Sequence, residues 1–371
     1  MHQVERAIFD LRRGLPVVIL DESSGHQAAT LVYPLESIAD PQLQALAERS
    51  GGQPALTLTN HRLAALGHAV STSAASLLLP DSHGLSSREI YQTATGHSLR
   101  STLNSNCRPA SLGERAALAL MRRALLVPAA VTAGIEPGQR PDIDRAIEHG
   151  ELLAVQARAA EQCLELGSGL LRCISEADVP LANAPDTRFV LFREPDGLRE
   201  HIAVVIGDTE KWSAAVPVRL HSACLTGDLF DSLRCDCGEQ LRTSISSIQS
   251  MGGGVLLYLA QEGRGIGLAN KLRAYALQDQ GMDTVEADQA LGFGDDERRY
   301  GVAVDMLRSL DIGRIHLLTN NPLKVDALTA AGIDVVEQGR VFGSVTHQNR
   351  RYLSAKANRS GHLLQELLGK S

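Results

Sequence analysis

Apolar positions change period abruptly near the start of the chain. Val4, Ala7, Ile8 and Leu11 recur at helical spacing and Gly14 stops the run, which predicts a helix over Val4 to Arg13. Leu15 to Leu20 then reads as a buried strand, with Pro16 tolerated at its start. Thr30 to Tyr33 and Ala55 to Thr59 predict further strands, and Gln42 to Ala47 and Glu114 to Leu126 predict helices. Ile135 to Pro141 is a turn-rich break, and Asp142 to Cys173 beyond it is expected to be largely helical. A second alternating series starts near Arg188, with strands expected at Phe189 to Phe192, Ile202 to Ile206, Val216 to Leu220, Val255 to Ala260 and Ile315 to Thr319. Helices are expected between them, at Cys237 to Ser250, Leu268 to Gln280 and Asp296 to Leu310. Strands and helices interleave in both halves, so the expected fold class is α/β with some α+β mixing, in two domains. No internal repeat is visible, and Gln348 to Ser371 reads as a basic, mobile tail ending in a short amphipathic helix.

Composition narrows the picture. With 371 residues the chain exceeds one average domain. Hydrophobic residues at 44% and charged residues at 21% exclude wholesale disorder. Lys plus Arg number 36 against 43 Asp plus Glu, a net charge of -7 that argues against coating nucleic acid but leaves room for a local phosphate pocket. Aromatics at 4% provide few stacking platforms for single strands. Met1 to Arg6 has no signal pattern, and Arg122-Arg123 breaks the apolar run around Leu118 to Ala130, so a cytoplasmic protein is expected.

Six cysteines are too sparse for a disulfide scaffold. Cys107, Cys163 and Cys173 are scattered and read as buried small hydrophobes. Cys224 and, after ten intervening residues, Cys235-Asp236-Cys237 form a cluster matching the soft-ligand preference of zinc. Three readings stand on spacing alone: a structural site closed by His221, a catalytic site keeping a position for water, and three unmetallated thiols. Arg219 and Ser222 lie beside the cluster; Arg is a natural fork for phosphate, yet alone it reads as a surface arginine. Gln261-Glu262-Gly263-Arg264-Gly265-Ile266-Gly267 follows a strand and opens a helix, an arrangement that can cradle a phosphate or simply turn the chain. It is not a Rossmann fingerprint, because Leu268 stands where the third glycine belongs, and no Gly-Lys-Ser/Thr follows for a Walker loop. Asp295 to Arg299 reads as a solvated helix start, and Thr319-Asn320-Asn321-Pro322 with Lys324 as a capping turn or a phosphate contact.

The order of these elements is more specific than any one of them. Arg219 to Asp228, Leu233 to Gly238, Gln261 to Leu268, Lys271 to Gly281, Asp283 to Ala287 and Leu317 to Pro322 together resemble GTP cyclohydrolase II over about Arg188 to Val341. Asn349 to Leu353 and Gly361 to Leu364 are similar to the tail of that family. The resemblance implies an enzyme that opens the guanine imidazole ring of GTP and releases formate and diphosphate. The product would be 2,5-diamino-6-(5-phospho-ribosylamino)pyrimidin-4(3H)-one, the first step of riboflavin biosynthesis. It further implies one zinc ion on Cys224, Cys235 and Cys237 with water as fourth ligand, and Mg²⁺ with GTP. Tyr275 would assist ring opening, Asp296 would accept a proton, and Arg298 would act at the α-phosphorus as diphosphate leaves. An ionised arginine is a poor nucleophile, so electrostatic stabilisation is the safer role for Arg298. Arg219, Leu220, His221, Ser222, Gln240, Glu262, Gly263, Arg264, Thr284, Thr319 and Lys324 would line the GTP site, and a homodimer is implied.

One position departs from the pattern. The family usually carries Glu immediately before the first zinc cysteine, where this chain has Ala223. A lost contact there would cost about 10- to 100-fold. The N-terminal half resembles, more faintly, 3,4-dihydroxy-2-butanone 4-phosphate synthase through Val4 to Ala7, Val17 to Glu22 and Leu118 to Ala133. That enzyme needs an acidic loop after its first strand, but Ser23 to Thr30 contains no carboxylate, and Ser111 to Glu114 stands where its later histidine is expected. The expected layout is therefore a degenerate synthase-like domain at 1–140, a helical linker at 141–187, a cyclohydrolase domain at 188–345 and a tail at 346–371. Two other functions compete: a related zinc hydrolase acting on another nucleotide, and a catalytically silent GTP-binding regulator. The His-x-Glu with Pro-Cys-x-x-Cys pattern of zinc deaminases is absent.

Overall fold

The computed structural model describes residues 2–22, 28–68, 71–80, 86–96, 107–164 and 169–341. The chain forms two compact units, the first from residues 1–166, 269–282 and 286–295, the second from 167–268, 283–285 and 296–371. The tail expected beyond Gln348 and the loop at 23–27 lie outside the described residues.

The first unit is built on a seven-stranded sheet. Its strands are β1 (Val17–Asp21), β2 (Ala28–Pro34), β3 (Ala55–Thr59), β4 (Ala74–Leu78), β5 (Cys107–Pro109), β6 (Ala129–Gly134) and β7 (Leu153–Gln156), in spatial order β5-β4-β3-β6-β2-β1-β7. All pairings are antiparallel except β1 with β7. Every residue of β3 is buried, and its two faces have different chemistry. Leu56 and Leu58 join an apolar core with Leu31, Leu77 and Val131. Thr57, on the opposite face by the two-residue period of a strand, bonds Ser76 at 2.9 Å and Thr132 at 3.0 Å.

That polar thread ends on Glu114. Its carboxylate accepts from Thr132 and, at 2.7 Å on each oxygen, from the Arg108 guanidinium, while also closing a capping box with Ser111. Burial alone would raise the Glu114 carboxyl; the Arg108 fork, the Ser111 N–H and the Ser76 hydroxyl outweigh it and hold the group below the usual glutamate value. A lowered folded pKa stabilises above the ordinary glutamate pKa, and that contribution disappears as pH falls through the lowered value. Glu114→Gln should therefore cost about 1–3 kcal/mol at neutral pH and less in acid, measured by denaturant unfolding at both. An equal loss at both pH values would contradict the ionised pairing.

The helix expected to reach Leu126 spans Leu112–Arg123 and stops in a left-handed turn at Leu125, with φ 61°. The segment 141–187 is not the helical stretch expected. After the helix Arg140–Glu148, Gly150 turns the chain at φ 74°, and Leu153–Gln156 docks in parallel on the edge of β1. Among the described residues of the rest of that segment, only Ala157–Glu161 and a short turn at Gln162–Leu164 are helical, and Cys173 lies in a strand. An open sheet edge overrode a weakly periodic sequence. Cys163 is buried as expected, but Cys107 and Cys173 are exposed, both on edge strands.

Residues 269–282 and 286–295 complete the first unit. The Asn270 amide donates to the Leu125 carbonyl at 3.1 Å, Arg273 donates to Glu36 at 2.8 Å, and the Thr59 hydroxyl donates to the Gly292 carbonyl at 2.7 Å.

The second unit holds another seven-stranded sheet, of β8 (Arg172–Asp178), β9 (Thr187–Arg193), β10 (Glu200–Ile206), β11 (Val216–Ser222), β12 (Gly254–Leu259), β13 (Arg314–Leu318) and β14 (Asp334–Gly339). Its order is β14-β13-β11-β12-β10-β9-β8, parallel from β14 to β12 and antiparallel from β12 to β8. The parallel pairing brings the C-terminal ends of β11, β12 and β13 to one edge, the customary ligand edge of such sheets. The helix expected at Cys237 to Ser250 is present with those bounds, and the helix at Leu268 runs to Asp279. Asp296 does not open a helix: the helix there is Gly301–Ser309. Among the described residues, no helix is long and apolar enough to cross a membrane.

Candidate functional site

β11 delivers Arg219 to Ser222 to the parallel edge, and the chain then turns through Cys224 into a single helical turn, Leu225–Asp228. Asp228 is the hub of that turn. One carboxylate oxygen accepts the Cys224 N–H at 2.9 Å and the Tyr258 hydroxyl at 2.9 Å, and His221 Nε2 meets the same carboxylate at 3.1 Å. His221 and Tyr258 stack with ring centres 5.6 Å apart. Burial lowers the His221 pKa, Asp228 opposes that shift, and Arg219 and Lys324 reinforce it.

The three cysteines converge. Ligand atoms of Cys224, Cys235 and Cys237 all lie within 4.8 Å of one another, with the Cys224 and Cys235 sulfurs 3.6 Å apart. Two glycines permit this approach. A Cβ on Gly227 would lie 2.7 Å from the Cys235 sulfur, and one on Gly238 would lie 2.2 Å from the Gly227 carbonyl oxygen. A soft, three-thiol donor set of this size fits a zinc ion. His221 points to Asp228, so the donor set brought together is Cys₃, the arrangement expected of a centre that keeps a position for water.

Arg219 is buried and not a surface arginine. It donates to the Leu318 carbonyl and to Gln240 Oε1, each at 2.8 Å, and Gln240 donates in turn to Asp236. Burial lowers its pKa to about 10, with Asp236 and Cys237 opposing. Lys324, also buried, donates to the Leu220 carbonyl at 2.6 Å, and the Ser222 hydroxyl is buried at the end of β11 with no hydrogen-bond partner. Thr319 caps the turn before the Pro322–Ala330 helix by accepting the Asn321 N–H.

The glycine-rich loop is a strained turn. Gly263 and Arg264 are both left-handed, with φ 62° and 60°. Arg264 tolerates this because its carbonyl accepts the Glu297 N–H, at 3.0 Å. Gly265 cannot carry a Cβ, which would lie 2.9 Å from the Glu297 carbonyl. Glu262 reaches back to the Leu225 N–H at 2.6 Å, beside Cys224. Gln261 donates to the Arg299 carbonyl at 2.5 Å. These bonds explain why no helix starts at Asp296: loop atoms already hold the Glu297 N–H and the Arg299 carbonyl. The Asp296 carboxylate takes the rest, accepting the Arg298 N–H at 3.0 Å and its guanidinium at 2.8 and 2.5 Å. Burial alone would raise the Asp296 carboxyl; Arg298, with Arg264 behind it, holds it below the ordinary aspartate range.

Within the second unit these bonds thus pair Arg219 with Gln240, Lys324 with Leu220 and Arg298 with Asp296, and tie Glu262 to Leu225 and Arg264 to Glu297, with Gly263 in the turn between Glu262 and Arg264. Thr284 opens the helix Thr284–Ala290. Tyr275 stands on the Leu268–Asp279 helix in the piece belonging to the first unit, with the Lys271 ammonium 5.7 Å from its ring centre. Sequence reasoning assigned no role to Asp228, Tyr258 or Gln261. A signal existed for Asp228, four residues after the first cysteine of the cluster and at the end of one helical turn.

A family model for GTP cyclohydrolase II matches residues 172–340. A curated GTP cyclohydrolase-2 of Xylella fastidiosa is 40% identical over 96% of this chain and 86% of its own length. One from Azospirillum brasilense is 41% identical over 98% of this chain and 94% of its own. A two-domain 3,4-dihydroxy-2-butanone 4-phosphate synthase from A. baumannii aligns with 92% of this chain and 99% of its own, at 16% identity and a TM-score of 0.35, too low to carry a fold argument. Full-length kinship at this identity, spanning both units, makes the chain a member of the GTP cyclohydrolase II family of enzymes.

Proposed function

We propose that this protein hydrolyses GTP, opening the guanine imidazole ring with release of formate and diphosphate. The product is 2,5-diamino-6-(5-phospho-ribosylamino)pyrimidin-4(3H)-one, and the reaction is the entry step of riboflavin biosynthesis. Cys224, Cys235 and Cys237 hold one zinc ion, and Mg²⁺ accompanies the triphosphate. When bound, zinc supplies the Lewis acidity that makes water a nucleophile at neutral pH. The observation that carries this reading is the three-thiol cluster with His221 withdrawn to Asp228.

The chain's own residues do the rest. Asp296 is ionised at neutral pH and is the proton acceptor of the ring-opening steps. Arg298 now spends its fork on Asp296. Turning that fork to the departing diphosphate stabilises the leaving charge and releases Asp296 as a base. Arg219, Leu220, His221, Ser222, Gln240, Glu262, Gly263, Arg264, Thr284, Thr319 and Lys324 bind GTP, and Tyr275 assists ring opening. The first domain is a synthase relative without synthase turnover, and the working assembly is a homodimer. A silent regulator would place His221 on the metal, and its bond to Asp228 supports the enzyme instead.

The test is formate release from GTP by zinc-replete protein with Mg²⁺, against ATP and ribulose 5-phosphate as other substrates. Stoichiometric formate and diphosphate from GTP alone is the expected result. Ala223→Glu is expected to raise the rate about 10-fold. Tight GTP binding without formate would overturn the enzymatic reading.

A further inference from the structure

Tyr300 sits immediately before the helix Gly301–Ser309 and belongs to the apolar core of the second unit that includes Val304 and Leu317. It is 8% exposed, and its hydroxyl is buried without a hydrogen-bond partner. Such a group destabilises a fold unless something else uses it, since phenylalanine fills nearly the same volume without the desolvated oxygen.

Its surroundings indicate what could use it. The Arg298 guanidinium and the Lys324 ammonium each lie 5.9 Å from the centre of its ring. Burial pushes the phenol up to about 12; Arg298 and Arg264 pull it down and Asp296 adds to the rise, so it remains a protonated donor at neutral pH. Two cations thus lie 5.9 Å from the ring centre, and the charges of Arg298, Arg264 and Asp296 act on its buried O–H, an excess of cations over carboxylate that is complementary to an anion. Gln261 Oε1 and Asn321 Nδ2, buried at the ends of β12 and β13, are likewise without partners.

We propose that the Tyr300 hydroxyl is a substrate-binding group that donates a hydrogen bond to a phosphate oxygen of the nucleoside triphosphate. This assignment rests on the GTP reading of the site. It makes Tyr300 part of the phosphate subsite formed with Arg298 and Lys324, and it gives the stored polar atom a use that appears only on binding.

Tyr300→Phe tests it. With GTP and Mg²⁺ the variant should show a Kd and KM raised about 10- to 100-fold, with kcat changed by less than about threefold. Inorganic tripolyphosphate, measured by calorimetry, should weaken in parallel, while guanosine binding stays unchanged. The ligand-free thermal midpoint should stay equal or rise, because an unsatisfied hydroxyl has been removed. Unchanged affinity for GTP and tripolyphosphate would overturn the assignment, as would an equal loss for guanosine. A lower ligand-free midpoint with kcat falling as much as KM rises would make the hydroxyl merely structural and overturn it too. Wild-type protein that neither binds GTP nor releases formate would instead remove the activity reading, and this assignment with it. Active wild type with an indistinguishable Tyr300→Phe removes the Tyr300 assignment alone.

Discussion

Cys235→Ser protein, supplied with zinc and Mg²⁺, is expected to release formate from GTP at least about 10³-fold more slowly than wild type, and to retain little zinc. The size of the effect follows from the donor set. Three sulfurs within 4.8 Å are the whole cluster among the described residues, and His221 is committed to Asp228. A serine hydroxyl does not ionise near neutrality and is a poor soft ligand, so two thiolates would be left to hold the ion. GTP affinity should change only a few-fold, because Arg219 and Lys324 are fixed by carbonyls of β13 and β11 and not by the metal. Exposed Cys173→Ser is the control and should leave zinc content and rate unchanged. Zinc analysis beside a formate assay decides the matter: full activity in Cys235→Ser would end the zinc mechanism.

Asp296→Asn is expected to lower kcat by about 10²- to 10⁴-fold with little change in KM. The amide keeps the size of the carboxylate and can still accept from the Arg298 N–H, so the fold around 296–300 should survive. What it loses is the capacity to take a proton. Because Arg298 holds the Asp296 pKa below the ordinary aspartate range, wild type should keep its activity well into acid, falling only as the carboxylate protonates. The Asn variant should lack that acid limb. Arg298→Met should move the limb the other way, toward neutral pH, since burial then acts on Asp296 without its main partner. A pH profile of kcat/KM, which reports the free enzyme in which Arg298 still holds Asp296, checks all of this for the three proteins, and an unaltered profile in Asp296→Asn would remove Asp296 from the chemistry.

Much of the second unit was legible because its elements are locally self-consistent. β9 to β13 and the Cys237–Ser250 helix follow their hydrophobic period, and the cysteine spacing pointed to the cluster. The misreadings share a cause: backbone groups claimed by partners distant in sequence. Leu153–Gln156 became a strand because β1 offered an open edge, 136 residues earlier at Val17↔Leu153. Asp296 to Arg299 has helix-start composition, yet the Arg264 carbonyl and the Gln261 amide bind it from the glycine-rich loop. Cys107 and Cys173 are exposed because their strands lie at sheet edges, a property of topology and not of the residue. Tyr300 could not be singled out at all, since an unsatisfied buried hydroxyl exists only once the packing is known.

The composition of the first unit bears on how the protein is made. Its bond between Glu36 and Arg273 spans 237 residues, and that between Thr59 and Gly292 spans 233. Every one of residues 167–268 must therefore be synthesised before the first unit acquires its last pieces. At ~5–20 residues per second, the interval from residue 166 to residue 295 is roughly ten seconds. During it the nascent first half has Glu36 and Thr59 without these partners. The half that emerges first is thus finished late, after most of the second sheet has left the ribosome.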